Sequence, residues 1–288
     1  MLLGKDGMLG HELQTVLQDR DYVAFDKDEL DITDSEALKT KILDVRPDVL
    51  INATAYRDVN KAESEEELAN LVNGYAVGKM AKICRDFGIT LVHFSTDYVF
   101  DGLKKDGYKE DDQPSPLNAY GRSKLLGEQM IVDAMEAEYE GEEQPGEEGK
   151  YFIIRTSYLF GKHGENLLSK MLTNASKTEK FKAVNDQWAK PTYALDLAQQ
   201  TKWLLESNEY ESGIYHITNS GVTNWYELAR TLINDAGFIS DVMEPCSMAD
   251  WPSPAKRPQY SVLLNTKLPE MRHWKEALRD YLDEIKMP

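Results

Sequence analysis

The chain has 288 residues, 41% of them hydrophobic, enough for a sizeable core in one large α/β domain with or without a small lobe. A net charge of −17 argues against general nucleic-acid or anionic-membrane binding, which need a basic face, though a few local cations would serve an anionic small substrate. Two cysteines, Cys84 and Cys246, make neither a disulfide framework nor a metal cluster and fit a reduced, cytoplasmic setting; no apolar run approaches the roughly 20 residues of a membrane helix, and Met1-Leu2-Leu3 is no signal peptide.

Gly4-Lys5-Asp6-Gly7-Met8-Leu9-Gly10 reads G-x-x-G-x-x-G and opens a helix through His11 to Leu17. Glycines in such a turn let the backbone approach a pyrophosphate, which then meets the unpaired N–H groups of the helix start. Gly4, Gly7, Met8, Leu9 and Gly10 are therefore candidate cofactor contacts, with an ordinary glycine loop as the alternative. Only three residues precede Gly4, where a first strand of five or six is usual, so either the strand is truncated or the sequence lacks its first residues.

Tyr22-Val23-Ala24-Phe25 reads as the second strand and ends in Asp26-Lys27. An acidic residue about 20 positions past a glycine turn is the usual partner of adenosine ribose hydroxyls, which favours NADH. Lys27 could instead accept a 2′-phosphate, so NADPH stays open. Asp31-Ile32-Thr33-Asp34 caps the next helix. Asp48-Val49-Leu50-Ile51 is the third strand, and the small residues in Asn52-Ala53-Thr54-Ala55-Tyr56 let the chain pass close to the cofactor. A single helix is expected from Glu65 to Phe87.

Leu91-Val92-His93-Phe94 has the length and character of a buried strand, and it delivers Ser95-Thr96-Asp97-Tyr98 to a cleft. After a Gly/Pro/Asp-rich loop, Tyr120-Gly121-Arg122-Ser123-Lys124 opens another helix. Tyr120 and Lys124 sit four apart and share a face. A free tyrosine has a pKa near 10, and an ammonium one turn away is expected to lower it. Thr96 is placed to hold a substrate oxygen against Tyr120. The three groups together polarise a carbonyl and move a proton to its oxygen. A Tyr-x-x-x-Lys spacing by itself arises often by chance; the preceding strand and the glycine turn give it weight.

Glu136 to Gly149 carries seven glutamates and no lysine or arginine, and reads as a solvated insertion rather than an acidic docking segment. Tyr151-Phe152-Ile153-Ile154 resumes the sheet and leads to Tyr158. Beyond Gly164 the pattern is less regular, with a strand at Gly213–Ile217 and a helix from Trp225 to Ala236. His93 and His216 lie in apolar strands and read as satisfied core histidines.

STDYVFDG followed by PLNAYGRSKLLGE closely resembles the dTDP-4-dehydrorhamnose reductase family, a branch of the extended short-chain dehydrogenase/reductases. The resemblance runs through nearly the whole chain. It implies a Rossmann-type doubly wound parallel sheet carrying a smaller C-terminal α/β substrate lobe. Residues 1–160, with returning segments around 185–215, would bind NADPH or NADH, and residues 161–288 would mostly bind a dTDP-sugar. The implied reaction reduces the 4-keto group of dTDP-4-dehydrorhamnose, a step toward cell-surface polysaccharide, with Tyr120 as proton donor, Lys124 on Tyr120 and the nicotinamide ribose, and Thr96 on the oxygen. Asp31 and Ile32 would lie against the adenine. Asp97, Tyr98, Asn185 and Gln187 of Asn-Asp-Gln-x-x-x-Pro-Thr, and Arg257 of Ala-x-Arg-Pro would meet the substrate, as would Tyr158, which stands where the family commonly has Trp.

Arg57 departs from the family, which has threonine at a position facing the sugar. If inward it pairs with the diphosphate or narrows the pocket; if outward it pairs with Asp58 or Glu63. No catalytic metal is expected: Glu12 matches one acid of a metal bridge seen in some members, but Leu195 and Lys275 stand where others would be needed. A monomer or weak homodimer follows. The second resemblance is to the regulatory β subunit of methionine adenosyltransferase, which keeps Tyr-x-x-x-Lys but tends to Ser-Ser-Asp-Tyr where this chain has Ser95-Thr96-Asp97-Tyr98. An epimerase of the same superfamily is a third reading.

Overall fold

Strands that read as unbroken apolar runs must be covered on both faces, and here they line up as a parallel sheet with helices on each side. In the computed structural model, residues 1–137, 149–164, 166–177, 180–239 and 242–285 are described; most of the acidic stretch from Glu136 to Gly149 therefore lies outside them. The first half alternates strand and helix: β1 (Leu2–Leu3), α1 (Met8–Val16), β2 (Ala24–Phe25), α2 (Ser35–Val45), β3 (Val49–Asn52), α3 (Glu66–Asn70), α4 (Ala76–Asp86), β4 (Thr90–Thr96), α5 (Ala119–Met135) and β5 (Tyr151–Thr156). The second half runs β6 (Leu159–Phe160), α6 (Leu167–Ser176), β7 (Phe181–Val184), β8 (Trp188–Ala189), β9 (Thr192–Tyr193), α7 (Ala194–Glu206), β10 (Gly213–His216), β11 (Thr223–Asn224), α8 (Trp225–Asp235), β12 (Met243–Cys246) and α9 (Trp274–Glu284).

The main sheet has the order β10-β5-β4-β3-β1-β2, all parallel. Its strand order reverses between β1 and β3, and a crevice opens there at the carboxyl ends of the strands. Leu2 and Leu3 of the first strand pair with both β2 and β3 and are buried. One apolar layer, with Leu38, Val77, Met80 and Ile131, covers the α2/α4/α5 face; another, with Leu13, Leu197, Ala198 and Leu204, covers the α1/α7 face.

The helix expected over 65–87 runs from Glu66 to Asp86 but is broken in register by a π turn at Leu71–Tyr75. Such turns put one extra residue into the helix and recur at functional sites. This one carries Asn73, whose buried amide accepts the Tyr56 N–H (2.8 Å) and donates to the Tyr56 carbonyl (2.9 Å) and to Ser123 Oγ of α5 (2.9 Å). Asn73 thus ties the loop after β3 to α5.

The C-terminal lobe has its own apolar core, where Phe160, Leu172, Leu232, Trp274, Leu278 and Tyr281 meet from β6, α6, α8 and α9. Three small pairs frame it: β6 with β9, β7 with β12, and β8 with β11. Between them α7 and β10 return the chain to the main sheet. Among the described residues no helix is long and apolar enough to cross a membrane.

Candidate active site

At the switch point, Gly4 adopts φ +85°, and a Cβ there would stand 2.9 Å from the Ala53 carbonyl carbon and oxygen. A Cβ on Gly10 would fall 2.0 Å from the Gly4 carbonyl oxygen, so only glycine lets α1 start this close to the turn. Among the described residues no side chain caps α1, which starts at Met8 with Leu9 buried behind it. A cradle of bare backbone leading to an uncapped helix start is what a dinucleotide pyrophosphate requires. Asp26 closes the turn from β2: its carboxylate accepts the Asp6 N–H (3.0 Å) and the Lys27 N–H (2.7 Å). Lys27 is exposed, Lys5 pairs with Glu29 at 2.5 Å, and Asp31 turns on Thr33, leaving Asp34 as the cap of α2. Ile32 is buried, and Ala53, Thr54, Ala55 and Tyr56 form the facing loop.

β4 ends in Thr96, whose hydroxyl accepts the Tyr98 N–H (3.2 Å) and starts a 3-10 turn through Val99. α5 is capped twice: Asn118 accepts the Gly121 N–H (2.7 Å) and Glu63 accepts the Ala119 N–H (2.8 Å). The Asn118 amide also donates to the Lys256 carbonyl (2.8 Å), which fastens the start of this helix to the second lobe. Tyr120 presents its ring to Tyr98, edge to face, with centroids 6.1 Å apart. Tyr98 in turn gathers the second lobe: Gln187 donates to its hydroxyl at 3.2 Å and Arg257 at 3.3 Å.

The expected lowering of the Tyr120 phenol by Lys124 is not what the structure shows. Removal from water and then the Asp97 carboxylate push the phenol well above its ordinary value; the Thr96 hydroxyl draws it back, and Tyr98 raises it further. Lys124 is turned instead to His93, with Nζ 3.1 Å from Nε2. Burial brings the Lys124 ammonium down to about 8, partly opposed by Glu128. The direction of the Tyr120 shift favours the neutral phenol, the state a proton donor needs.

Asp97 is buried and accepts from Ser261 Oγ (2.5 Å) and Thr96 Oγ1 (3.1 Å). Burial pushes its carboxyl up to about 7, against those two hydrogen bonds. The sign of its effect follows. Below about pH 7 Asp97 is neutral; above, its charge makes proton loss from Tyr120 harder. We expect kcat/KM for carbonyl reduction to fall as pH rises through about 7, and Asp97→Asn to remove that limb. A limb that persists unchanged in the variant would assign it elsewhere.

Beyond Tyr98 a cavity of about 800 Å³ opens between the lobes, within the usual size for small-molecule sites. Gln187 and Arg257, both expected on the substrate, are among its lining residues. Sequence reasoning missed Trp225, Trp251, Lys182 and Lys256, which line it too. Of these only Lys256, next to Arg257, had a local signal. Tyr158, expected against substrate, instead stacks on Trp225 with centroids 3.8 Å apart and gives its hydroxyl to the Gln187 carbonyl (3.2 Å). Its φ of +45° is rare for a bulky residue and is held by that packing. Asn185 is exposed and contributes its backbone to the β7/β12 pairing, outside the cavity lining.

Arg57 is exposed and also stands outside that lining. Its two candidate outward partners are used elsewhere: Asp58 accepts the Asn60 and Lys61 N–H groups, and Glu63 accepts that of Ala119. Arg57→Thr is therefore expected to change kcat/KM by no more than about twofold, the scale of surface substitutions. A changed preference among related 4-keto sugars would show that Arg57 reaches the substrate.

Among the described residues no three His, Cys, Asp or Glu side chains cluster to hold a metal. Glu12 is buried with His163 Nε2 4.0 Å away, and the acid acting on it is Glu284 rather than anything at positions 195 or 275.

A pyrophosphate cradle at the switch point, with a hydroxyl, a phenol and an amine at the end of the neighbouring strand, defines an NAD(P)-dependent oxidoreductase of the short-chain dehydrogenase/reductase type. The family model of the RmlD substrate binding domain matches residues 1–287. The chain is 36% identical to a dTDP-4-keto-6-deoxy-D-glucose reductase of Streptomyces niveus, over 96% of this chain and 94% of that one. It is 35% identical to a dTDP-4-dehydrorhamnose reductase of Burkholderia thailandensis, over 94% and 91%. The crystal structure of the Bacillus anthracis dTDP-4-dehydrorhamnose reductase in complex with NADP superposes with a TM-score of 0.90 at 33% identity, covering 98% of each chain. The chain belongs to the dTDP-4-dehydrorhamnose reductase family.

Proposed function

We propose that this enzyme reduces the 4-keto group of dTDP-4-dehydrorhamnose to give dTDP-L-rhamnose, using NADPH or NADH. The observation that carries this reading is the junction at Tyr98, where the Thr96/Tyr120 pair of the sheet meets Gln187 and Arg257 of the second lobe at the edge of one cavity. When bound, the reduced nicotinamide supplies a hydride to the C4 carbonyl carbon. The residues that would hold the cofactor are the Gly4–Gly10 turn, Asp26 or Lys27 at the adenosine ribose, the 53–56 loop, and Lys124. Thr96 orients the carbonyl oxygen, and Tyr120 gives that oxygen the proton it needs as it becomes an alcohol. Arg257, Lys256 and Lys182 place cations where a diphosphate would run, and Trp225 and Trp251 offer flat apolar faces for a base.

In this reading the sheet lobe, residues 1–160 with the returning segments, serves the cofactor, and residues 161–288 choose the sugar nucleotide, in a cytoplasmic monomer or weak homodimer. The deciding experiment follows oxidation of NADPH and NADH with purified dTDP-4-dehydrorhamnose and identifies the sugar product. Turnover with dTDP-4-keto-6-deoxy-D-glucose alone would move the assignment to that sugar. No turnover with either, together with capture of a methionine adenosyltransferase subunit, would replace the enzyme reading by a regulatory one.

A further inference from the structure

Asn52 and His93 are register partners on adjacent parallel strands, and both are fully buried. Asn52 Nδ2 lies 3.0 Å from His93 Nδ1, and on the other side of the ring Lys124 Nζ lies 3.1 Å from Nε2. The far end of the asparagine is also fixed: Oδ1 accepts the Thr54 N–H (3.1 Å) and the Thr54 hydroxyl (2.6 Å). A backbone N–H can only donate, so the amide must turn its NH₂ toward His93. Nδ1 is then the acceptor, and the neutral ring carries its proton on Nε2, aimed at Lys124. Lys124 can accept that proton's hydrogen bond only as an uncharged amine. A protonated Lys124 needs the reverse arrangement: Nε2 as acceptor, the proton on Nδ1, the Asn52 amide turned over, and the Thr54 N–H left facing an NH₂ group.

We propose that His93 is a positioning residue whose tautomer locks the charge on Lys124 to the hydrogen bonding of Asn52 and Thr54 on the cofactor side of the cleft. The inference rests on the roles given above to Tyr120 and Lys124. In the resting structure Lys124 is turned to His93; once Tyr120 has given up its proton, an ammonium one helical turn away steadies the phenolate and an amine does not. The relay therefore decides when Lys124 can assist. Burial keeps His93 well below its ordinary value, so the ring stays neutral while Lys124 titrates. Other ionisable groups reach Lys124 less directly. Glu128 acts from one turn along α5, and Arg155 of β5 is paired with Glu128. Asp97 and Tyr98 act on Tyr120. The π turn brings the neutral Asn73 to Ser123, next to Lys124 on α5.

Two measurements test this. In the full-length protein carrying ¹⁵N-labelled histidine rings, His93 should be the Nε2–H tautomer near pH 9.5 and shift to Nδ1–H as pH falls through about 8, with no imidazolium down to about pH 6. A tautomer that ignores pH over that range, or a charged ring, would overturn the proposal. In His93→Gln the side-chain amide can rotate to offer its oxygen to a protonated Lys124. The alkaline limb of kcat/KM should then move up by about one pH unit, a tenfold gain in activity beyond the limb; Asp97→Asn serves to identify the separate limb of Asp97. A purely structural role for His93 would lower kcat and leave the limb in place. Lys124→Met separates the two levels of the argument. If it keeps full activity, the Tyr120/Lys124 reading fails; if it is inactive while the His93→Gln limb has not moved, only the relay fails.

Discussion

Tyr120→Phe is expected to lower kcat by roughly a hundredfold to ten-thousandfold, the range that a positioned proton donor supplies. The phenylalanine keeps the ring that packs edge to face on Tyr98, so that contact stays in place. It removes only the hydroxyl, the neutral acid next to Thr96. Cofactor affinity should hold, because the Gly4–Gly10 turn and Asp26 are far along the chain from the change and bonded independently of it. Equilibrium titration of NADPH fluorescence alongside steady-state turnover separates these effects. A loss of only twofold to threefold would mean that water or another side chain delivers the proton, and Tyr120 would lose its assignment.

Much of this site could be read from local spacing. Tyr120 and Lys124 four apart, and Thr96 at the end of an apolar strand, are one-dimensional facts that survive folding because helix and strand are regular. The role of Lys124 was less visible, since it depends on how two periods match. His93 and Ser95 are two apart on β4, about 6.6 Å of strand; Lys124 and Glu128 are four apart on α5, about 6 Å of helix. The two pairs therefore meet rung to rung, His93 on Lys124 and Ser95 on Glu128. His93 reads correctly as a satisfied buried histidine, but the sequence did not show that the partner satisfying it is the lysine.

The second lobe was harder for a related reason. Its cavity walls come from Leu167, Lys182, Trp225 and Trp251, far apart in sequence, and only the packing of α6, α8 and the small strand pairs brings them together. Tyr158 was expected on the substrate because the contact that claims it, the stack on Trp225, lies 67 residues further on. The π turn was invisible for another reason: one inserted residue hardly disturbs a helical hydrophobic pattern, and Asn73 alone gives no hint of its three hydrogen bonds.

Arg155→Met is expected to destabilise the protein by about 3–5 kcal/mol, through the partner it leaves behind. Arg155 and Glu128 are almost fully buried, with side-chain exposures of 1% and 3%. Nε donates to both carboxylate oxygens of Glu128 (3.0 and 3.2 Å), and Nη2 donates to one of them at 2.6 Å. Nη1 lies 3.4 Å from the Glu110 carbonyl, and the guanidinium stands over the Phe100 ring, 5.0 Å from its centroid. Without the guanidinium, Glu128 keeps, among the described residues, only the Ser95 hydroxyl as a hydrogen-bond donor, and a buried carboxyl short of partners is costly. That is a large fraction of the stability of any single-domain protein, equivalent to a fall in Tm of roughly 10 °C. The double variant Glu128→Met/Arg155→Met should recover most of the loss, since two apolar side chains of similar volume carry no desolvation penalty. Thermal and urea unfolding of the two single variants and the double variant give the cycle directly. If Arg155→Met costs less than about 1 kcal/mol, the pair behaves as a solvated surface ion pair, and α5 is held against β5 by its apolar contacts alone.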